Sequence, residues 1–147
     1  MSASITLEHL RAAHKRTSSR IYRILEDGYD FSAENALIEA LDRDALIIDA
    51  AFFVLIFGQI ENRINELAAR KVAADRRRTL REQKFEQRMG LALPGQLHKT
   101  LRDDIARWYD LGNDAAHGER LARYDIDAVL GRADQLDAML PEQPERP

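Results

Sequence analysis

Apolar residues recur along most of this chain at intervals of three and four, the spacing that lines one side of an α-helix. The first such run predicts a helix from Ile5 to Glu26, with Ile5, Leu7, Leu10, Ala13, Ile21, Ile24 and Leu25 on its apolar side and Gly28 closing it. A short helix through Ala36, Leu37, Ile38 and Leu41 follows, capped by Asp30 or Ser32. Asp42 then serves as N-cap of the main helix, which is expected to reach Ala73. Its stripe is Leu46, Ala50, Phe53, Phe57, Ile60, Ile64 and Leu67. Ile47, Val54, Leu55 and Ile56 widen the first half until it is apolar almost all round. A helix of that kind has to be covered on several sides, by its own domain or by a second copy. The stretch from Ala45 to Gly58 carries Asp49 and falls short of the roughly 20 apolar residues that a bilayer demands.

From Arg70 to Arg88 the character changes: Arg70, Lys71, Arg76, Arg77, Arg78, Arg81, Lys84 and Arg88 outnumber Asp75, Glu82 and Glu86. A helix extension and a mobile connection ending near Met89 and Gly90 are expected there, with a break at Leu91 to Gly95. A further helix starts at Gln96, sets Leu97, Leu101, Ile105, Trp108 and Leu111 on one side, and reaches His117, where Gly118 can take the left-handed closing position. After a loop from Glu119 to Tyr124, Asp125 caps a last helix carrying Ile126, Val129, Leu130, Ala133, Leu136 and Leu140. Pro141 stops it, and the tail, residues 141–147, is expected to be disordered. No run alternates as a strand would. The fold class is all-α: one helical domain over residues 1–140, a bundle of four to five helices around a long apolar one.

Composition narrows the chemistry. The chain has 147 residues, 45% hydrophobic and 32% charged, enough for a true core. It has no cysteine, which removes disulfides, thiolate zinc sites and a cysteine nucleophile. With a net charge of −3, any nucleic-acid role needs a local basic patch. The Arg76, Arg77, Arg78 run with Arg81 is the candidate for RNA phosphates, against the ordinary alternative of a solvated surface. His9, His14 and His98 lack ligand spacing, so no metal is expected, and the isolated glycines make no phosphate loop. No cofactor is expected. The first residues lack a basic segment followed by an apolar run, so a cytoplasmic protein with no membrane partner is expected.

One short segment carries a specific signal: Leu111, Gly112, Asn113, Asp114, Ala115, Ala116, His117, Gly118. Asn113 and Asp114 stand four and three residues before His117, on neighbouring positions of a helix. This segment resembles the motif of HEPN domains, in which an Arg, usually followed by Asn, precedes a His by a short spacer of small residues. The long apolar helix bearing Glu61 and the Asp-capped final helix agree with it, so the resemblance spans roughly Ala45 to Leu140. This chain departs from the pattern at Gly112, where the family has its Arg.

The resemblance implies an RNA-associated homodimer, with the site where two protomers meet. In active members it implies metal-independent RNA cleavage, the 2′-hydroxyl attacking the adjoining phosphate while His moves the proton and Arg neutralises the phosphorane. On that basis His117, Asn113, Asp114 and Glu61 are the catalytic candidates, and Arg107 or Arg63 the substitute cation reaching across a dimer. Three functions follow: an endoribonuclease of a toxin or antiviral defence system with a cognate antitoxin or regulatory partner, a non-cleaving RNA- or protein-binding module, or an unrelated helical oligomer.

Overall fold

The computed structural model describes residues 5–26, 35–117 and 124–140. They form α1 (Leu7–Glu26), α2 (Asn35–Ala69), α3 (Arg77–Leu80), α4 (Phe85–Ala92), α5 (Lys99–Ala116) and α6 (Ile126–Met139), with 3-10 turns at Ala74–Arg76 and Gln96–His98. No strand occurs among the described residues. The all-α expectation holds, with the other helices arranged around α2.

Contacts fix the directions. The carbonyl of Ile5 accepts from Gln59 while His14 meets Asp49, so α1 runs antiparallel to α2. Tyr109 lies against Phe57 and Gly112 against Phe53, so α5 is antiparallel too. Phe85 touches Phe57 and Arg88 bonds Asn65, so α4 runs parallel to α2. So does α6, through Tyr124 stacked on Phe53 and Asp137 paired to Arg63. The core is the predicted stripe of α2, with Phe53, Ile60 and Ile64 fully enclosed, joined by Ile56 from beside it, together with Leu101, Ile105 and Trp108 of α5 and Val129, Leu130 and Leu136 of α6. Two ion pairs lock the periphery: Arg11 to Asp134 at 2.6 Å joins α1 to α6, and Arg132 to Asp104 at 2.8 Å joins α6 to α5.

Several expected boundaries move, each for a local reason. Helix α1 begins at Leu7, because Thr6 and His9 form a reciprocal capping box: each side chain bonds the other's main-chain amide at 3.2 Å. Ile5 therefore lies outside the helix, and exposed. The break expected at Asp42 does not occur. No Gly or Pro separates residues 35 to 57, so α2 runs straight through and Asp42 is an exposed interior residue instead of a cap. Helix α2 then ends at Ala69 rather than Ala73. Lys71 bonds back to Ala68, Ala73 is extended, and Arg77 Nε donates to the carbonyl of Ala69 at 3.2 Å.

The basic segment beyond it is better ordered than a connection. Phe85, Met89 and Ala92, spaced four and three apart, bury one side of α4, and Gly90 lies inside that helix. The break expected after Leu91 falls at Leu93–Gly95, where Gly95 takes φ 84°. Leu97 occupies the 3-10 turn ahead of α5 and is 90% exposed, off the buried stripe. Asp125 caps α6 as expected, accepting from the amide of Ala128 at 3.1 Å. The expected caps Asp30 and Ser32, the closing glycines Gly28 and Gly118, the loop around residue 120, and the tail from Pro141 lie outside the described residues.

Truncating Phe53 to Ala should lower the unfolding free energy in urea by about 3–5 kcal/mol, whereas Leu97→Ser should stay within about 0.5 kcal/mol of the parent. An unchanged urea midpoint for Phe53→Ala would mean that the core is centred elsewhere.

Candidate functional site

Gly112 explains itself once α5 is docked. A Cβ built there would stand 3.2 Å from Cε1 of Phe53 and 4.0 Å from Cδ1 of Phe57. Phe53 cannot easily yield, since it is fully buried and stacked on Tyr124 with ring centroids 4.3 Å apart. Tyr124 in turn donates its hydroxyl to the carbonyl of Leu111 at 3.4 Å, beside the glycine. The missing side chain is thus what lets α5 lie close on α2. The position where the resembling family carries Arg is here a packing contact.

Three polar residues of the motif face outward. Asn113, Asp114 and His117 are all exposed, and the amide of His117 donates to the carbonyl of Asn113 at 3.1 Å as the last bond of the helix. No ion pair joins His117 to Asp114 among the described residues, so a salt-bridged helix end does not account for the imidazole. Ala106, Asp110, Asn113 and His117 step by four, three and four along one edge of α5. Tyr109 borders that edge and stacks on Phe85 at 4.6 Å. Between α4 and α5 the edge bounds a groove of about 390 Å³ lined by Lys84, Phe85, Glu86, Met89, Tyr109 and Asp110.

The neighbouring edge of α2 tells the same story. Asn65 lies under α4, and the same side of the helix continues through Glu61, Gly58, Val54, Ala51 and Ile47 at helical spacing. Helix α4 contacts α2 around Phe57 and Asn65, and beyond it the edge is bare: Ile47, Val54 and Leu55 are 48%, 40% and 50% exposed. Because α5 is antiparallel to α2, its motif end and this bare apolar stripe lie at the same end of the bundle.

The remaining candidates are dispersed within the chain. Glu61 lies on the opposite side of the Phe53 level from His117, about 20 Å away along the helix axes. Burial raises its carboxyl above the ordinary range, and the charge of Arg88 opposes that shift. Arg76 and Arg78 are exposed, whereas Arg77 and Arg81 line a separate cavity with Arg88, about 25 Å from His117 by the same axial measure. Arg63 is committed to Asp137, with bonds of 2.6 and 3.1 Å, so it is no spare cation. Arg107 is exposed and, among the described residues, holds only Asp104, at 3.3 Å, but stands ten residues, or about 15 Å, from His117 on its own helix.

Two features escaped sequence reasoning. Lys15, Arg16, Arg20 and Arg23 line one exposed face of α1 and form no ion pair among the described residues. Their spacing of four and three is readable in the sequence, where the denser run after Arg70 overshadows it. The antiparallel course of α1 puts this basic face at the motif end of the bundle. The second is a long-range cluster in which His14 Nε2 meets Asp49 Oδ1 at 2.7 Å and Ser18 Oγ at 3.2 Å. Both partners share one ring nitrogen, so this is not a proton relay, which needs both. It fixes the charged Asp49 of the apolar stretch. Comparison with protein-family models, with curated proteins and with solved structures returned no match.

Replacing Gly58 or Gly131 by Ala, where a Cβ meets nothing within 4 Å, should stabilise the protein by roughly 0.5–1 kcal/mol. Gly112→Ala should forfeit that gain, and Gly112→Arg should cost about 1–3 kcal/mol through overpacking; parallel urea curves check the contrast. Glu61→Gln should raise the thermal midpoint at neutral pH. A carboxyl whose folded pKa is raised favours folding when protonated, so wild type should gain stability as pH falls through that raised value, and the advantage of the amide should fade below the ordinary carboxylate range. An advantage independent of pH would contradict that origin.

Proposed function

We propose that this chain is a HEPN-like, RNA-associated homodimer that holds RNA without cutting it. The observation that carries this is the position of Gly112, pressed on Phe53 at the place where the resembling family sets its Arg. Cleavage by His117 alone lacks a cation for the charge that builds on the phosphorane, a contribution of about 3–4 kcal/mol by analogy with oxyanion donors. The imidazole and Asn113 remain available as exposed hydrogen-bonding groups for a ribose or phosphate, and the Asp114 carboxylate as an acceptor for a ribose hydroxyl.

Dimerisation is supported by the bare stripe Ile47, Ala51, Val54 and Leu55, whose exposed apolar face costs solvation unless a copy covers it. A twofold contact there sets the motif end of each α5 at the rim of the interface. Lys15, Arg16, Arg20 and Arg23 of α1, at that same end, are the phosphate contacts in this arrangement.

Light scattering at micromolar concentration should give a dimer for wild type and a folded monomer for Leu55→Glu. Labelled single-stranded RNA should be bound but left intact by wild type and by His117→Ala alike. Its affinity should fall with salt, and Arg16→Ala with Arg20→Ala should flatten the log–log slope by about 0.7 for each phosphate no longer neutralised. Cleavage by wild type that His117→Ala abolishes would overturn the non-cleaving assignment and point to a cation from the partner, with exposed Arg107 the first to test. Absence of salt-sensitive binding would remove RNA altogether.

A further inference from the structure

The far end of α2 carries a cavity that the motif does not use. About 400 Å³ in volume, it lies between α2 and the basic segment and is lined by Asn62, Asn65, Glu66, Arg77, Arg81 and Arg88, with Ala69 and Leu80 as its apolar wall. We infer that this cavity is a binding site for a terminal phosphate group, a phosphate monoester or free phosphate.

Three observations support the assignment. The first is that two of the three guanidinium groups, those of Arg88 and Arg77, are already held. Arg88 donates Nη1 to Asn65 Oδ1 and lies over the Phe85 ring, 5.5 Å from its centroid. Its Nε is enclosed by protein and has no hydrogen-bond partner among the described residues. Arg77 is anchored by its Nε on the carbonyl of Ala69, which leaves its terminal nitrogens for another acceptor. Both side chains are therefore held before any ligand arrives, which lowers the entropy lost on binding. The second is charge. Arg77, Arg81 and Arg88 against Glu66 give the lining +2, and Glu66 also pairs at 3.7 Å with Arg70, which does not line the cavity. A balance of +2 suits a dianion such as a monoester better than the single charge of a diester.

The third is shape and chemistry. The cations converge on one cavity instead of following a track along the surface, so they suit the end of a molecule better than a strand passing through. Arginine forks match phosphate oxygens in pairs, and the amides of Asn62 and Asn65 add neutral donors. No aromatic side chain lines the cavity to stack a base, so recognition rests on the phosphate. The cavity lies about 25 Å from His117 by helical rise and needs neither the dimer nor RNA binding at the motif end.

Calorimetric titration at fixed ionic strength tests it, with inorganic phosphate, adenosine 5′-monophosphate and adenosine as the probes. Phosphate and the monophosphate should bind and adenosine should not. Arg81→Gln, an exposed change with no bond to break among the described residues, should weaken binding at least tenfold, and Arg77→Gln likewise, while Arg20→Gln on α1 should leave it unchanged. Tighter binding of the monophosphate than of phosphate marks a nucleotide or strand end as the source, and equal binding marks free phosphate; both support the site. No binding of either at millimolar concentration, binding indifferent to Arg81→Gln, or an equal loss in Arg20→Gln would overturn it. The RNA experiments at the motif end can fail while this titration succeeds, and the reverse.

Discussion

Helix α2 cannot stand in water, and most of the fold answers to that constraint. It is 35 residues long, and from Ala45 to Gly58 its apolar positions leave only Asp49 as a charge. The other helices cover it by sector. Helix α1 takes the side of Asp49 and Phe52, α6 the side of Arg63, α5 the Phe53 and Phe57 ridge, and α4 the side of Asn65. Helix α4 has 8 residues against the 35 of α2, so it shields one part of its sector and leaves Val54, Ala51 and Ile47 outside. The bare stripe is a consequence of unequal helix lengths. No further helix among the described residues closes it.

The same packing decides what the motif end can do. Close approach of α5 at Gly112 permits the stack of Phe53 on Tyr124, and that stack seats the start of α6. A side chain at 112 crowds this contact, so the arrangement favours a well-seated helix over a charge beside His117. Positive charge is placed elsewhere, on α1 at the motif end and in the cavity at the other end of α2. A net charge of −3 thus conceals two separated cationic regions.

Much of the architecture was legible in the residues because burial follows helical period. The α2 stripe, the α5 stripe from Leu101 to Trp108, and the Asp125 cap are where that period indicates. Where it misled, a competing local interaction prevailed. Asp42 looked like a cap, but with no breaker near it the helix continued through. The charges around Phe85, Met89 and Ala92 masked a short amphipathic helix whose buried side is only three residues wide. The proximity of Asn113, Asp114 and His117 on one helix edge was readable from spacing, whereas the role of Gly112 was not. That role depends on a ring contributed 59 positions earlier in the chain. The arginine cavity was hidden for the same reason: Arg77, Arg81 and Arg88 gain meaning only when folded against Asn62 and Asn65.

The natural absence of cysteine makes the central claim, that a second copy covers the open side of α2, directly measurable by single-cysteine cross-linking. Ala51→Cys, in the middle of the stripe, and Asp127→Cys, on the exposed side of α6, should be oxidised in parallel at micromolar concentration. Rapid disulfide-linked dimers are expected from Ala51→Cys and only slow, concentration-driven linkage from Asp127→Cys. Equal rates at the two positions, or faster linkage through α6, would contradict a copy seated on that stripe.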